Sequence, residues 1–137
     1  MRSVFHLAYN VRDLSVTREF YGEKLGCKEG RSTDTWVDFC FFGHQISLHL
    51  GEPFSAKATG KVDGHNVPMP HLGVILPMSE WRNLVERLEQ HQIDFVLPPN
   101  LRFEGETGEQ ATMFFLDPSG NPIEIKGFKN MQAIFDL

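Results

Sequence analysis

Cysteine is scarce in this 137-residue chain. Only Cys27 and Cys40 are present, with no CxxC spacing. That is too few for a disulfide framework and fits a reduced, cytoplasmic compartment. Long apolar runs are missing as well, since none approaches the roughly 20 residues that cross a bilayer. The opening Met1-Arg2-Ser3-Val4-Phe5-His6 has no apolar stretch of the kind that directs export. No membrane partner is expected. Positive charge is also in deficit: 13 Lys and Arg stand against 18 Asp and Glu, a net charge of −5, and no two basic residues are adjacent. Such a chain has no electrostatic reason to favour a phosphate backbone, so nucleic acid is not an expected partner.

What is there is close to the globular average, 41% hydrophobic and 23% charged, which excludes a disordered or fibrous chain. The length fits one compact domain or two small halves sharing a core. Residues 4–11 are short and mostly apolar, as in a buried strand. Asp13 caps a predicted helix over 14–25, where Leu14, Tyr21 and Leu25 share a face and Gly26 supplies the stop. Extended stretches follow at 27–31, 36–42 and 45–50, the last two joined by a tight turn at Gly43-His44. Cys40, inside Phe39-Cys40-Phe41-Phe42, is expected in the core. Residues 51–70 carry three prolines and few apolar side chains, the composition of a linker or long loop. A strand at 71–76 leads to a helix capped by Ser79, with Trp81, Leu84, Val85 and Leu88 on one face. Residues 93–97 and 111–116 are strand-like, 98–109 a polar loop, Asp117-Pro118-Ser119-Gly120 a turn, and Ile123-Glu124-Ile125 alternates as a strand should.

The two halves share one order: strand, helix, three strands. His6-Leu7 returns as His71-Leu72, 65 positions on, and Gly43-His44-Gln45-Ile46 matches Gly120-Asn121-Pro122-Ile123, 77 positions on. Unequal loops absorb the difference, so the chain is an internal repeat.

With Asn10-Val11-Arg12-Asp13-Leu14, Phe20-Tyr21, Leu25-Gly26 and Phe115-Leu116-Asp117-Pro118-Ser119-Gly120-Asn121-Pro122-Ile123-Glu124, the chain resembles the vicinal oxygen chelate superfamily. That group includes glyoxalase I, bleomycin and fosfomycin resistance proteins, and extradiol ring-cleavage dioxygenases. Each motif is weak alone and specific in combination, and together they span nearly the whole chain. The resemblance implies an α+β fold: two βαβββ modules whose curled mixed sheets surround a metal-binding cleft. On this reading 1–137 is a single domain, with module one at 1–51, a linker at 52–69, module two at 70–127 and a tail at 128–137. It also implies a divalent metal held by inward-facing strand residues, and a homodimer.

The expected metal ligands are His6, His71 and Glu124. Two imidazoles and one carboxylate are the set used by non-haem Fe(II) oxygenases, and His6 and His71 are equivalent positions of the repeat. Glu124 lies between two isoleucines, and a carboxylate in so apolar a strand is costly unless paired or metal-bound. Taken singly, each residue is first a polar group on a wet strand face; the symmetric trio favours the metal. Matching Gly43 to Gly120 sets Ser47, a poor ligand, opposite Glu124. His49, on the same strand face, is the candidate acid/base catalyst, with an ordinary polar strand residue as the alternative. His44 and His65 belong to turns or loops, and His91 to a helix C-terminus. Trp36, Phe39, Phe41, Phe114 and Phe115 are core residues before they are pocket residues.

These residues and the resemblance point to an extradiol-type dioxygenase that cleaves a small oxygenated aromatic substrate with Fe(II); Ni, Zn or Mn are the other candidate metals. One alternative is a glyoxalase-I-type lyase with Ni or Zn and a glutathione hemithioacetal, in which His49 completes the metal shell. The other is a metal-free protein that sequesters a small molecule.

Overall fold

The computed structural model describes residues 2–62 and 65–136, without the side chains of residues 58–62 and 65. The fold is α+β and contains two four-stranded mixed sheets of identical topology. The chain divides into two compact units: residues 1–55 with 117–121, and residues 56–116 with 122–137. No helix of the described residues is long and apolar enough to cross a membrane.

In the first unit, β1 (His6–Val11) leads to α1 (Leu14–Arg18), which continues as a π-helical turn over Glu19–Lys24. Asp13 caps α1 by accepting the Val16 N–H at 3.1 Å, and Gly26, at φ 78°, ends the helical stretch. Strands β2 (Lys28–Ser32), β3 (Trp36–Phe41) and β4 (His44–Leu50) complete a sheet of order β1-β4-β3-β2. Phe42 and Gly43 both have positive φ, 52° and 94°, and form the two-residue turn between β3 and β4; the primed twist of such a turn suits a hairpin. The turn therefore lies one residue before the expected Gly43-His44. Phe39 and Phe41 are buried, and alternation turns Cys40 the other way, so it is exposed rather than in the core.

The motifs that carry the family resemblance meet in this unit as one polar network. The Tyr9 and Tyr21 hydroxyls are 2.8 Å apart, and Tyr21 donates to Asp117 Oδ2 at 2.8 Å. Asp117 Oδ1 accepts the backbone N–H groups of Ser119 and Asn121. The Asn121 amide spans Asp117 Oδ2 and the Asn10 carbonyl, and Arg12 bonds both the hydroxyl and the carbonyl of Ser119. Burial raises both tyrosine phenols well above their ordinary range, and the Asp117 charge adds to the rise. These residues hold the fold together.

In the second unit, β5 (Lys57–Val62) and β6 (His65–Met69) pair as an antiparallel ribbon. The expected linker is thus a hairpin: a ladder of backbone bonds forms it without an apolar pattern, and a two-stranded ribbon has only edges, where Pro68 is tolerated. His65 accordingly belongs to a strand; its side chain and Gly64 lie outside the described residues. Then come β7 (Leu72–Pro77), α2 (Met78–Gln90), β8 (Phe95–Arg102), β9 (Gln110–Leu116) and β10 (Pro122–Phe128), in the sheet order β7-β10-β9-β8. Helix α2 starts one residue before Ser79, with Pro77 at its N-cap. Trp81, Leu84 and Leu88 bury its inner face, and the Trp81 indole N–H reaches the Ile125 carbonyl at 2.9 Å. Strand β8 runs on through Pro98 and Pro99, where a loop is expected; it is the sheet's edge, and its register shifts between Leu97 and Asn100 absorb the missing donors. A 3₁₀ turn over Met131–Phe135 ends the described chain.

Register confirms the repeat residue by residue. Leu7 pairs with Ile46 as Leu72 pairs with Ile123, and Asp38 faces Ser47 as Phe114 faces Glu124.

Candidate metal centre

Strand β10 carries Glu124 between Ile123 and Ile125, both fully buried. Alternation turns the carboxylate to the opposite face of the sheet, where it is 11% exposed. Its register partner on β7 is Gly73, where a Cβ would collide with the Glu124 carbonyl oxygen. Only glycine lets the two strands lie this close.

His71 stands just before β7, its ring edge-on to Phe114 at 5.0 Å. Its Nδ1 lies 2.7 Å from the Pro68 carbonyl oxygen. A carbonyl can only accept, so Nδ1 carries the hydrogen and the other ring nitrogen is left to face the site. That Nε2 lies 3.2 Å from Glu124 Oε1, while Oε2 accepts the Thr112 hydroxyl at 2.5 Å. His71, Gly73, Val74, Ile75, Glu124 and Lys126 line a cavity of about 210 Å³.

Such a pair exists either as imidazolium and carboxylate, or as a neutral ring whose lone pair converges with the carboxylate on a cation. The donor set fits a divalent ion. Two donors each about 2.1 Å from one ion and at roughly right angles stand about 3.0 Å apart, close to the separation seen here. Each also has the outer-shell partner a ligand needs, a carbonyl for the imidazole and a hydroxyl for the carboxylate.

The equivalent face of the first unit is built differently. His6 Nδ1 is 2.8 Å from Gln45 Oε1, the Gln45 amide lies 3.4 Å from Asp38 Oδ2, and Ser47 donates to Asp38 Oδ1 at 2.5 Å. The Nδ1-to-oxygen contact of His71 is thus repeated at the exposed His6, but Ser47 replaces Glu124 and the carboxylate has moved one strand over, to the buried Asp38. His49 is exposed and stacks on Trp36 with ring centroids 6.0 Å apart. Of the expected trio the structure pairs His71 with Glu124, and His6 belongs to the other unit. Among the described residues no group of three or more His, Cys, Asp or Glu side chains is gathered for a metal.

Sequence reasoning missed Asp38, Thr112 and Lys126. Asp38 was within reach, because a hairpin turning at Phe42-Gly43 sets it directly across from Ser47. Thr112 and Lys126 required the register of β9 against β10. Phe39, Phe41, Phe114 and Phe115 are core residues, as expected, and Trp36 is half-buried. His44 is half-buried and accepts the Phe5 N–H, and His91 is the C-cap of α2.

The model of the glyoxalase/bleomycin resistance protein/dioxygenase superfamily matches residues 3–125. A virulence protein of Salmonella typhimurium is 30% identical over 124 residues, covering 90% of this chain and 82% of that one. A crystal structure of a glyoxalase/bleomycin resistance protein/dioxygenase from Alicyclobacillus acidocaldarius is 32% identical, with a TM-score of 0.77 over 98% of this chain and 97% of that one. The fosfomycin resistance protein FosX of Listeria monocytogenes shares the fold at 17% identity, with a TM-score of 0.69 over 96% and 97% of the two chains.

Proposed function

The chain belongs to the glyoxalase/bleomycin resistance protein/dioxygenase superfamily, whose members typically bind divalent metals, and from that premise we propose that it is a metal-dependent enzyme acting on two neighbouring oxygens of a small substrate. The observation that carries this reading is the convergence of His71 Nε2 and Glu124 Oε1 at 3.2 Å, each fixed by a partner on its far side. His6, whose Nδ1 meets the Gln45 side-chain oxygen, is the proposed third ligand, contributed by the same chain or by the second chain of a proposed homodimer.

The proposed reaction is extradiol-type ring cleavage of an oxygenated aromatic, with Fe(II) as the metal. The ion supplies Lewis acidity to the oxygens it chelates and, as Fe(II), the redox chemistry that dioxygen requires. The protein's part is to hold the three ligands, with the Pro68 carbonyl and Thr112 hydroxyl fixing His71 and Glu124. His49 is the proposed acid/base group, taking a substrate hydroxyl proton on a ring nitrogen. Asp38 favours a second reading. It places a carboxylate on the equivalent face of the first unit, as a proton-moving lyase of the glyoxalase type requires.

Anaerobic reconstitution with Fe(II), and separately with Ni(II), Zn(II) and Mn(II), tests the assignment. Catechol-dependent oxygen uptake with Fe(II) alone is the expected result. Isomerisation of a glutathione hemithioacetal without oxygen uptake assigns the lyase instead. Ligand binding that ignores metal, with neither activity, contradicts both enzymatic readings and leaves a sequestering protein.

A further inference from the structure

Lys126 lies two residues beyond Glu124 on β10, on the face that lines the cavity with His71 and Glu124. It is half-buried, and no carboxylate of the described residues lies within 4.0 Å of its amine. Glu124 is not its ion-pair partner: that carboxylate is engaged by His71 and Thr112. The other cavity residues, Gly73, Val74 and Ile75, offer no negative side chain. A half-buried ammonium with no carboxylate at ion-pair distance is stabilised by an anion that enters the cavity beside it.

We propose that Lys126 is a specificity-determining residue that binds an anionic group of the substrate, a carboxylate or phosphonate, beside the oxygens that the metal would chelate. This deepens the metal reading above and rests on it for those oxygens. With neutral imidazoles, one carboxylate and a divalent ion, the site would be net positive even before Lys126 is counted, in a chain whose total charge is −5. The local field thus favours an anion that the rest of the surface repels. Lysine suits the task because its ammonium is a compact charge on a flexible stem, able to meet either kind of anion.

Titration of metal-reconstituted protein with catechol and with 3,4-dihydroxybenzoate, which differ only by a carboxylate, tests this. Wild type is expected to bind the acid about 10-fold or more tightly. The advantage should shrink with added salt, fall to within about twofold in Lys126→Gln and return in Lys126→Arg. Equal affinities in wild type, or an advantage that survives in Lys126→Gln, overturn the proposal. Metal content of the same samples separates the two claims, because Lys126 is not a ligand and Lys126→Gln should retain the ion. Should wild type take up no metal, the metal reading fails by itself. Lys126 is then judged on benzoate and phenylphosphonate against benzyl alcohol, with the same dependence on Lys126 expected and the same outcomes overturning it; a preference between the two acids identifies the anion.

Discussion

His71 Nε2 and Glu124 Oε1 face each other at 3.2 Å, and the remaining polar atom of each side chain is already bonded, Nδ1 to Pro68 and Oε2 to Thr112. Two ligands held in this way lose little freedom when an ion arrives. Thr112→Val, which removes only the hydroxyl, is therefore expected to weaken metal binding by roughly 10- to 100-fold, the usual effect of losing an outer-shell partner. Glu124→Gln should weaken it further. Competition against a chromophoric chelator measures both.

Gly73→Ala places a Cβ against the Glu124 carbonyl, a backbone atom that cannot swing aside. The strands must part, at about 1–3 kcal/mol, and the His71–Glu124 alignment is disturbed with them. Gly108→Ala is the control: nothing lies within 4 Å of its added carbon, and its stability should stay within about 0.5 kcal/mol of wild type. Urea denaturation compares the two.

The fold was legible in the sequence because its strongest signal is duplication, and the pairing registers reproduce the offsets read from His6-Leu7 and His71-Leu72. The hairpin at 57–69 was not, because a ribbon held by backbone bonds leaves no apolar period to read. Strand β8 was missed for a related reason: its two prolines signal a loop unless the strand is known to be an edge. At the site, Glu124 stood out as a charge between buried isoleucines, while Thr112 and Lys126 acquire meaning only from cross-strand register. The motif residues Tyr21, Asp117 and Asn121 signal the family through structural bonds and carry no information about substrate.

Both tyrosines of the chain sit in the Asp117 network, so tyrosinate absorbance reports on that network alone. Their folded pKa values are raised above the ordinary 10.0. Their contribution is thus complete below pH 10 and lost above it, as the unfolded chain releases protons that the folded one keeps. Stability should fall by about 1.4 kcal/mol per tyrosine for each pH unit above 10. Tyrosinate absorbance should rise only with cooperative unfolding; a gradual rise in a still-folded chain contradicts the network.

Asp117→Ala strands four donors: the Tyr21 hydroxyl, the Asn121 amide and two backbone N–H groups. Several unmet buried donors amount to a loss on the order of 3–5 kcal/mol. Chemical denaturation should show the drop, and an unchanged midpoint would count against the network's structural role.

Elemental analysis of anaerobically purified protein, with His71→Ala and Glu124→Gln prepared alongside, tests the central claim most directly. About one divalent ion per chain in wild type, lost in both variants while they remain folded, is the predicted result. Wild type that binds no metal after reconstitution, or folded variants that keep it, would contradict the assignment of His71 and Glu124 as ligands.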